Sequence, residues 1–148
     1  MEIRRIEPGD ENWVSNLIRK TISISNIKDY PKELMDALIA VETPEHVLER
    51  ASWTHFYVVI DEDEIIGCGA IGPYWGKEDE SSLFTIFVLP DYQGKGIGKE
   101  LLRRVTDKYD DYLRIVVVSY DDEIEFYEHC GFEKADDASP MFITDLWT

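Results

Sequence analysis

In "PDYQGKGIGKELL", residues 90–102, Gly94, Gly96 and Gly98 alternate with Lys95, Ile97 and Lys99 at the entrance to an amphipathic helix, just after a proline that ends an apolar run. A strand that stops at Pro90 and turns through Gln93–Gly98 into a helix exposes several N–H groups with no intrahelical acceptor. Glycine removes the Cβ atoms that would hold a ligand away and permits positive φ. Such a turn can wrap a pyrophosphate with the positive end of the helix dipole behind it. The local charge agrees: five basic against two acidic residues give +3 over Gln93–Lys108, while the rest of the chain carries -19. That reversal at a glycine-rich helix entrance suggests a polyanionic ligand, although the charge spacing taken alone better describes an ordinary solvated helix stripe. The P-loop pattern G-x-x-x-x-G-K-[ST] is not met, because Lys99 is followed by Glu100, so ATP or GTP hydrolysis is disfavoured.

A second glycine run, "GCGAIG" at residues 67–72, matches the sparse dinucleotide pattern G-x-G-x-x-G. A nucleotide-binding version must follow a strand and open a helix. Here β-branched and aromatic residues flank the acidic turn "DEDE", predicting a hairpin whose long second arm contains Gly67, Gly69 and Gly72. These glycines are therefore assigned to a bulge or to close packing.

The elements that must position the 90–102 segment follow from periodicity. "MEIRRI" predicts an opening strand, and the next segment a helix capped by Asp10 with Trp13, Leu17 and Ile18 on one face. Two short helices follow in "YPKELMDALIA" and "TPEHVLERA", the second with Thr43 as cap and Pro44 just inside. "SSLFTIFVL" is a strand ended by Pro90. Ile97, Leu101, Leu102, Val105 and Tyr109 then recur at helical spacing, and "YLRIVVV" predicts a strand buried on both faces. A helix over "DEIEFYEHC" and a final strand over "FITDLW" complete a mixed α and β order. Its strand–helix–strand crossover between residues 83 and 118 is expected to be parallel and right-handed.

The 148 residues suit one domain, 1–148, and 44% apolar content supports a packed core. A formal charge of -16 argues against general nucleic-acid binding. With no signal-peptide pattern in "MEIRRIEPGD" and no apolar run near 18 residues, a soluble cytoplasmic protein with no membrane partner is expected. Cys68 and Cys130 fit no zinc or redox spacing and are read as buried reduced thiols, and no metal site is expected.

The run "IFVLPDYQGKGIGKELL" resembles the acyl-CoA-binding signature of the GNAT superfamily of N-acetyltransferases, whose pattern is Q or R, two intervening residues, G, one intervening residue, then G or A. Here these are Gln93, Gly96 and Gly98. "EFYEHCGF" resembles the family's second block, an aromatic–Tyr pair on a helix ending in Gly-Phe. The specific likeness covers about residues 83 to 132. It implies an α/β (α+β) fold with a mostly antiparallel central sheet, a parallel β-α-β crossover at the acyl-CoA site and helices on both faces.

The resemblance further implies that backbone groups of Ile86, Phe87 and Val88 run beside pantetheine, while Gln93, Gly94, Lys95, Gly96, Ile97, Gly98 and Lys99 hold the pyrophosphate of acetyl-CoA, the co-substrate. The Val88 N–H would donate to the thioester carbonyl, and Tyr127 would donate to the departing thiolate, which a phenol with pKa near ~10 can do at neutral pH. The family's frequent glutamate base falls near Ser82. Glu80, two residues away on the same strand face, could act through water. His55 and His129 are further bases by pKa, but neither has a placed partner and each is read as a surface or packing residue.

Tyr120 stands where the family commonly has an asparagine touching pantetheine, and Glu123 where a small residue often sits. The expected activity is acetyl transfer to a primary amine, small or peptide-borne, and the acidic remainder of the chain favours a cationic acceptor. The chain is expected to act as a monomer or homodimer. The rival expectation, motivated by Ser82, Tyr120 and Glu123, is a CoA-binding sensor or interaction module without catalysis. A nucleotide binder protected by ATP or NAD is a second rival.

Overall fold

Alternation along β2 (His55–Asp61) sends Phe56 and Val58 into one apolar cluster and Tyr57 and Val59 into another, so the strand is buried on both sides. The computed structural model describes residues 1–25, 31–74, 77–106, 114–118, 128, 130, 133–134 and 140–143. Around β2 stand β1 (Glu2–Arg5), β3 (Glu64–Tyr74), β4 (Lys77–Val88), β5 (Arg114–Val118), β6 (Glu133–Lys134) and β7 (Pro140–Ile143). They form one sheet in the order β1-β2-β3-β4-β5-β7-β6. Every pairing is antiparallel except β4 with β5, which is parallel.

Helices α1 (Glu11–Ser25), α2 (Lys32–Val41) and α3 (Pro44–Trp53) precede β2, and α4 (Ile97–Thr106) forms the crossover from β4 to β5. Val14, Leu17, Ile18 and Ile22 of α1 and Val47 of α3 meet Phe56 and Val58 on one face. Ile97, Leu101, Leu102 and Val105 of α4 meet Tyr57, Val59, Ile66 and Leu83 on the other. Helices therefore cover both faces of the mixed sheet, as the family resemblance implies. Phe56 is fully buried, and truncating it to alanine would cost about 3–5 kcal/mol through lost transfer energy and a cavity.

Local chemistry explains the boundaries. The β2–β3 hairpin turns through Glu62 (φ 50°) and Asp63 (φ 65°), two left-handed residues matching the right-handed twist of the flanking strands. Thr43 caps α3, its hydroxyl accepting from the His46 N–H at 3.2 Å, with Pro44 at the first position. At α1 the expected side-chain cap is not formed. The Asp10 carbonyl accepts from the Val14 N–H, but its carboxylate accepts from Arg4 at 2.7 Å and from the Glu7 N–H at 2.8 Å. An ion pair to β1 outcompetes the weaker cap and holds the Asp10 carboxyl below its usual range.

Gly67, Gly69 and Gly72 all lie inside β3, as close-packing positions. A Cβ on Gly69 would stand 2.7 Å from Ile86 Cδ1, and one on Gly67 3.1 Å from the Phe87 carbonyl oxygen. The final strand begins earlier than expected, at Pro140, and the expected helix over 122–130 falls almost wholly outside the described residues. No helix among the described residues is long and apolar enough to cross a membrane.

Candidate active site

β4 and β5 run side by side only from Glu80–Arg114 to Leu83–Val117. Among the described residues no strand continues beside Phe84–Val88 on that side, so β4 leaves its parallel neighbour and presents a backbone edge. The direction of that edge follows from the opposite side. The Leu89 N–H donates to the Ile66 carbonyl at 2.9 Å, which makes Gly67–Val88 a pair without mutual hydrogen bonds. The Val88 N–H and C=O therefore turn away from β3, toward the opening. Gln93 takes that carbonyl: its side-chain amide donates to Val88 O at 2.9 Å. The Val88 N–H remains on the same open side.

The edge is displaced from regular pairing by a bulge. Between the pairs Cys68–Phe87 and Ala70–Phe84, β3 has one residue, Gly69, and β4 has two, Thr85 and Ile86. Thr85 takes the left-handed conformation, φ 57°, unusual for a β-branched residue. The Cys68 thiol donates to the Thr85 carbonyl at 3.3 Å. Burial pushes the Cys68 thiol far above the ordinary range, so it stays protonated and able to donate.

Past the edge, Pro90–Tyr92 form one 3₁₀ turn and the chain passes through Gly94 (φ 78°) and Gly96 (φ 82°) into α4. The Gly96 carbonyl accepts the first helical bond, from the Glu100 N–H at 3.1 Å. The N–H groups of Ile97, Gly98 and Lys99 precede that bond and lack intrahelical acceptors. A Cβ on Gly94 or Gly96 would meet nothing within 4 Å, so the turn is an open cradle of donors. Ile97 is buried and anchors the helix, whereas Gln93, Gly94, Lys95, Gly96 and Lys99 are exposed. This donor set fits a diphosphate. Lys95 lies over the Tyr92 ring at 5.4 Å, and partial desolvation together with Asp61, Glu64, Glu62 and Asp91 raises the Tyr92 phenol. An acidic rim thus borders the loop on its hairpin side.

One described residue of the second block reaches this helix. Cys130, from the end of the second block, packs in the cluster of Ile97, Leu101 and Leu102, and Lys99 is near enough to oppose the burial that raises its thiol. Tyr127, Tyr120, Glu123 and His129 lie outside the described residues. Glu80 pairs in register with Arg114, eight residues before Val88, an extended path of roughly 25 Å. Ser82 is buried, its hydroxyl donating to the Leu83 carbonyl at 3.3 Å. His55 starts β2, two strands from β4, with Nδ1 beside Arg5.

Sequence reasoning missed a half-buried group behind the bulge. Arg50 of α3 donates to Thr85 Oγ1 at 2.6 Å and to Glu42 Oε2 at 3.3 Å, with His46 Nε2 2.8 Å away. Nothing in "SSLFTIFVL" marks Thr85 as other than a strand residue, so only pairing register exposes it.

A family model for the acetyltransferase (GNAT) domain matches residues 52–134, which include β4, the glycine turn and α4. The N-acetyltransferase YjgM of Escherichia coli is 34% identical over 90 residues, 55% of this chain and 53% of its own, so the match spans about half the relative's length. A spermidine N(1)-acetyltransferase of Vibrio cholerae is 26% identical over 138 residues, covering 89% of this chain and 78% of that one. Among solved structures, PaiA N-acetyltransferase from Thermoplasma acidophilum, in complex with coenzyme A, superposes with a TM-score of 0.84 at 19% identity, covering 97% of this chain and 98% of that one. With its parallel strands parting beside a glycine-turned helix entrance, the chain belongs to the GNAT acetyltransferase family.

Proposed function

We propose that this chain, as one domain spanning residues 1–148 in the cytoplasm, transfers an acetyl group from acetyl-CoA to a primary amine. The observation that carries the reading is the Phe84–Val88 edge of β4, which no strand among the described residues pairs on its β5 side, running on into the Gln93–Lys99 donor turn. A pantetheine arm carries amides that pair with such an edge as an added strand would. The turn supplies N–H donors and the positive end of the helix dipole to the diphosphate that follows the pantetheine arm. Acetyl-CoA bound there supplies an activated thioester, whose C–S bond breaks as the amine nitrogen forms its C–N bond.

The chain's own groups then have defined tasks. The Val88 N–H, turned toward the opening, donates to the thioester carbonyl oxygen as negative charge grows on it. Gln93 fixes the Val88 peptide by holding its carbonyl. Ile86 and Phe87 extend the edge, and Tyr120 contacts the pantetheine arm with its phenol. Tyr127 gives its proton to the departing thiolate. Glu80, distant along β4, receives the amine proton only through water.

The acceptor is a small cationic amine or a lysine side chain. The chain's charge of -16 supports this, as does the spermidine acetyltransferase among its relatives. Thiol release from acetyl-CoA across amines including spermidine, an aminoglycoside and a lysine peptide tests the reading. Release with at least one cationic amine is expected. Binding of CoA with no release on any amine would favour the non-catalytic sensor.

A further inference from the structure

Thr85 combines two features that ordinarily exclude each other, a β-branched side chain and a left-handed backbone. Such a residue is strained and persists only where its surroundings hold it. The holding groups are visible. Arg50 donates to the Thr85 hydroxyl at 2.6 Å, and the Cys68 thiol donates to its carbonyl. Arg50 is itself fixed from the helical layer by Glu42 and His46, and the side chains of Arg50 and Glu42 are only 15% and 12% exposed. Glu42 is anchored in turn, because the Ser15 hydroxyl of α1 donates to its carbonyl at 2.6 Å. The chain of contacts runs from α1 through the α2–α3 junction to one residue of β4, three positions before Val88.

We propose that Arg50 is a positioning residue that clamps Thr85 in the left-handed conformation and thereby fixes the exit angle of the Ile86–Val88 edge. The proposal rests on the reading that this edge receives the acyl carrier, and it assigns the aim of the edge to a side chain outside the site. Isolated Arg50–Glu42 pairing would tie helices together without any reason to reach Thr85. The short hydroxyl contact to the one left-handed strand residue other than glycine among the described residues is what gives the pair a second purpose.

The test uses the full chain with Thr85→Val, Thr85→Ser, Thr85→Gly, Arg50→Met and the Arg50→Met/Thr85→Gly double variant. CoA affinity by calorimetry and amide hydrogen exchange at Ile86–Val88 are the readouts. Thr85→Val keeps shape and leaves Arg50 bound to Glu42 and His46, so it remains informative if Arg50→Met fails to fold. The clamp predicts that Thr85→Val and Arg50→Met each weaken CoA about tenfold and speed exchange at Ile86–Val88. Thr85→Ser retains the hydroxyl and behaves as wild type. Thr85→Gly, which adopts positive φ without a Cβ penalty, stays within about threefold of wild type and rescues Arg50→Met to the same level.

Strand preference alone predicts the reverse order, valine better than glycine. Thr85→Val matching wild type, or Thr85→Gly as impaired as Thr85→Val, would overturn the clamp. Should the wild-type chain take up no CoA, the functional reading fails, and the exchange rates still decide the clamp. Faster exchange in Thr85→Val than in Thr85→Gly supports it, and equal rates refute it.

Discussion

Replacing Gly96 with alanine separates a backbone cost from a ligand cost. Gly96 holds φ 82° at the entrance to α4, and a Cβ built on it meets no atom within 4 Å. Alanine therefore clashes with nothing in the free protein, and its penalty is the left-handed backbone alone, about 1–2 kcal/mol. The empty space around that Cβ is the space assigned to the diphosphate, so CoA must lose affinity beyond what the fold loses in stability. Gly9 provides the matched control: φ 104°, nothing within 4 Å of a Cβ, and a place in the turn before α1.

Thermal unfolding and calorimetric titration with CoA, on wild type, Gly96→Ala and Gly9→Ala, give the two quantities separately. Both variants should lower Tm by about 3–8 °C. Only Gly96→Ala should weaken CoA, by about tenfold or more, an added 1.4 kcal/mol. If Gly96→Ala binds CoA as tightly as wild type, or Gly9→Ala loses as much affinity, the donor cradle is not where the diphosphate sits.

Three further outcomes follow from other parts of the molecule. Tyr127→Phe should lower turnover while sparing CoA affinity, and unchanged turnover in a thiol-release assay would remove the proton-donor role. Asp10→Ala should cost about 1–2 kcal/mol at pH 7, because the carboxylate holds both Arg4 and the Glu7 N–H. The Arg4 hydrogen bond lowers the folded-state pKa, so this contribution is complete above the unfolded aspartate range near 3.9 and is lost as pH falls through the lower folded value. Denaturant unfolding at pH 7 and below pH 3 should show the gap between variant and wild type closing on acidification, and a constant gap would contradict the pairing. Gly69→Ala, whose Cβ would meet Ile86 Cδ1 at 2.7 Å, should destabilise by about 1–2 kcal/mol, and Ile86→Val in the same chain should recover most of it. Strict additivity of the two changes would show that the contact is not the cause.

Legibility in the sequence tracked how local the determining physics is. The start of α4, its buried stripe of Ile97, Leu101, Leu102 and Val105, and the parallel crossover were readable because one proline, three glycines and a 3.6-residue period fix them within a few turns of chain. The rejection of the second glycine run held for the same reason, since Gly67–Gly72 continue a β-branched strand with no helix behind them. Asp10 stands at the expected cap position, but its carboxylate turns to Arg4, six residues away on a neighbouring strand, because charge outweighs the local cap. The β4 bulge was invisible: whether Thr85 pairs or stands out depends on the register of Gly69 opposite it and on Arg50, thirty-five residues earlier. Tertiary partners of that kind leave no periodic trace.

A backbone amide titration by NMR, with CoA and separately with pantetheine, bears most directly on where the acyl carrier lies. CoA should shift the Val88 amide together with those of Gly94–Lys99, whereas pantetheine, lacking the diphosphate, should shift Ile86–Val88 and leave the glycine turn unmoved. CoA-induced shifts confined to other parts of the chain, with Val88 and the turn unchanged, would contradict the assignment of the β4 edge and the α4 entrance as the acetyl-CoA site.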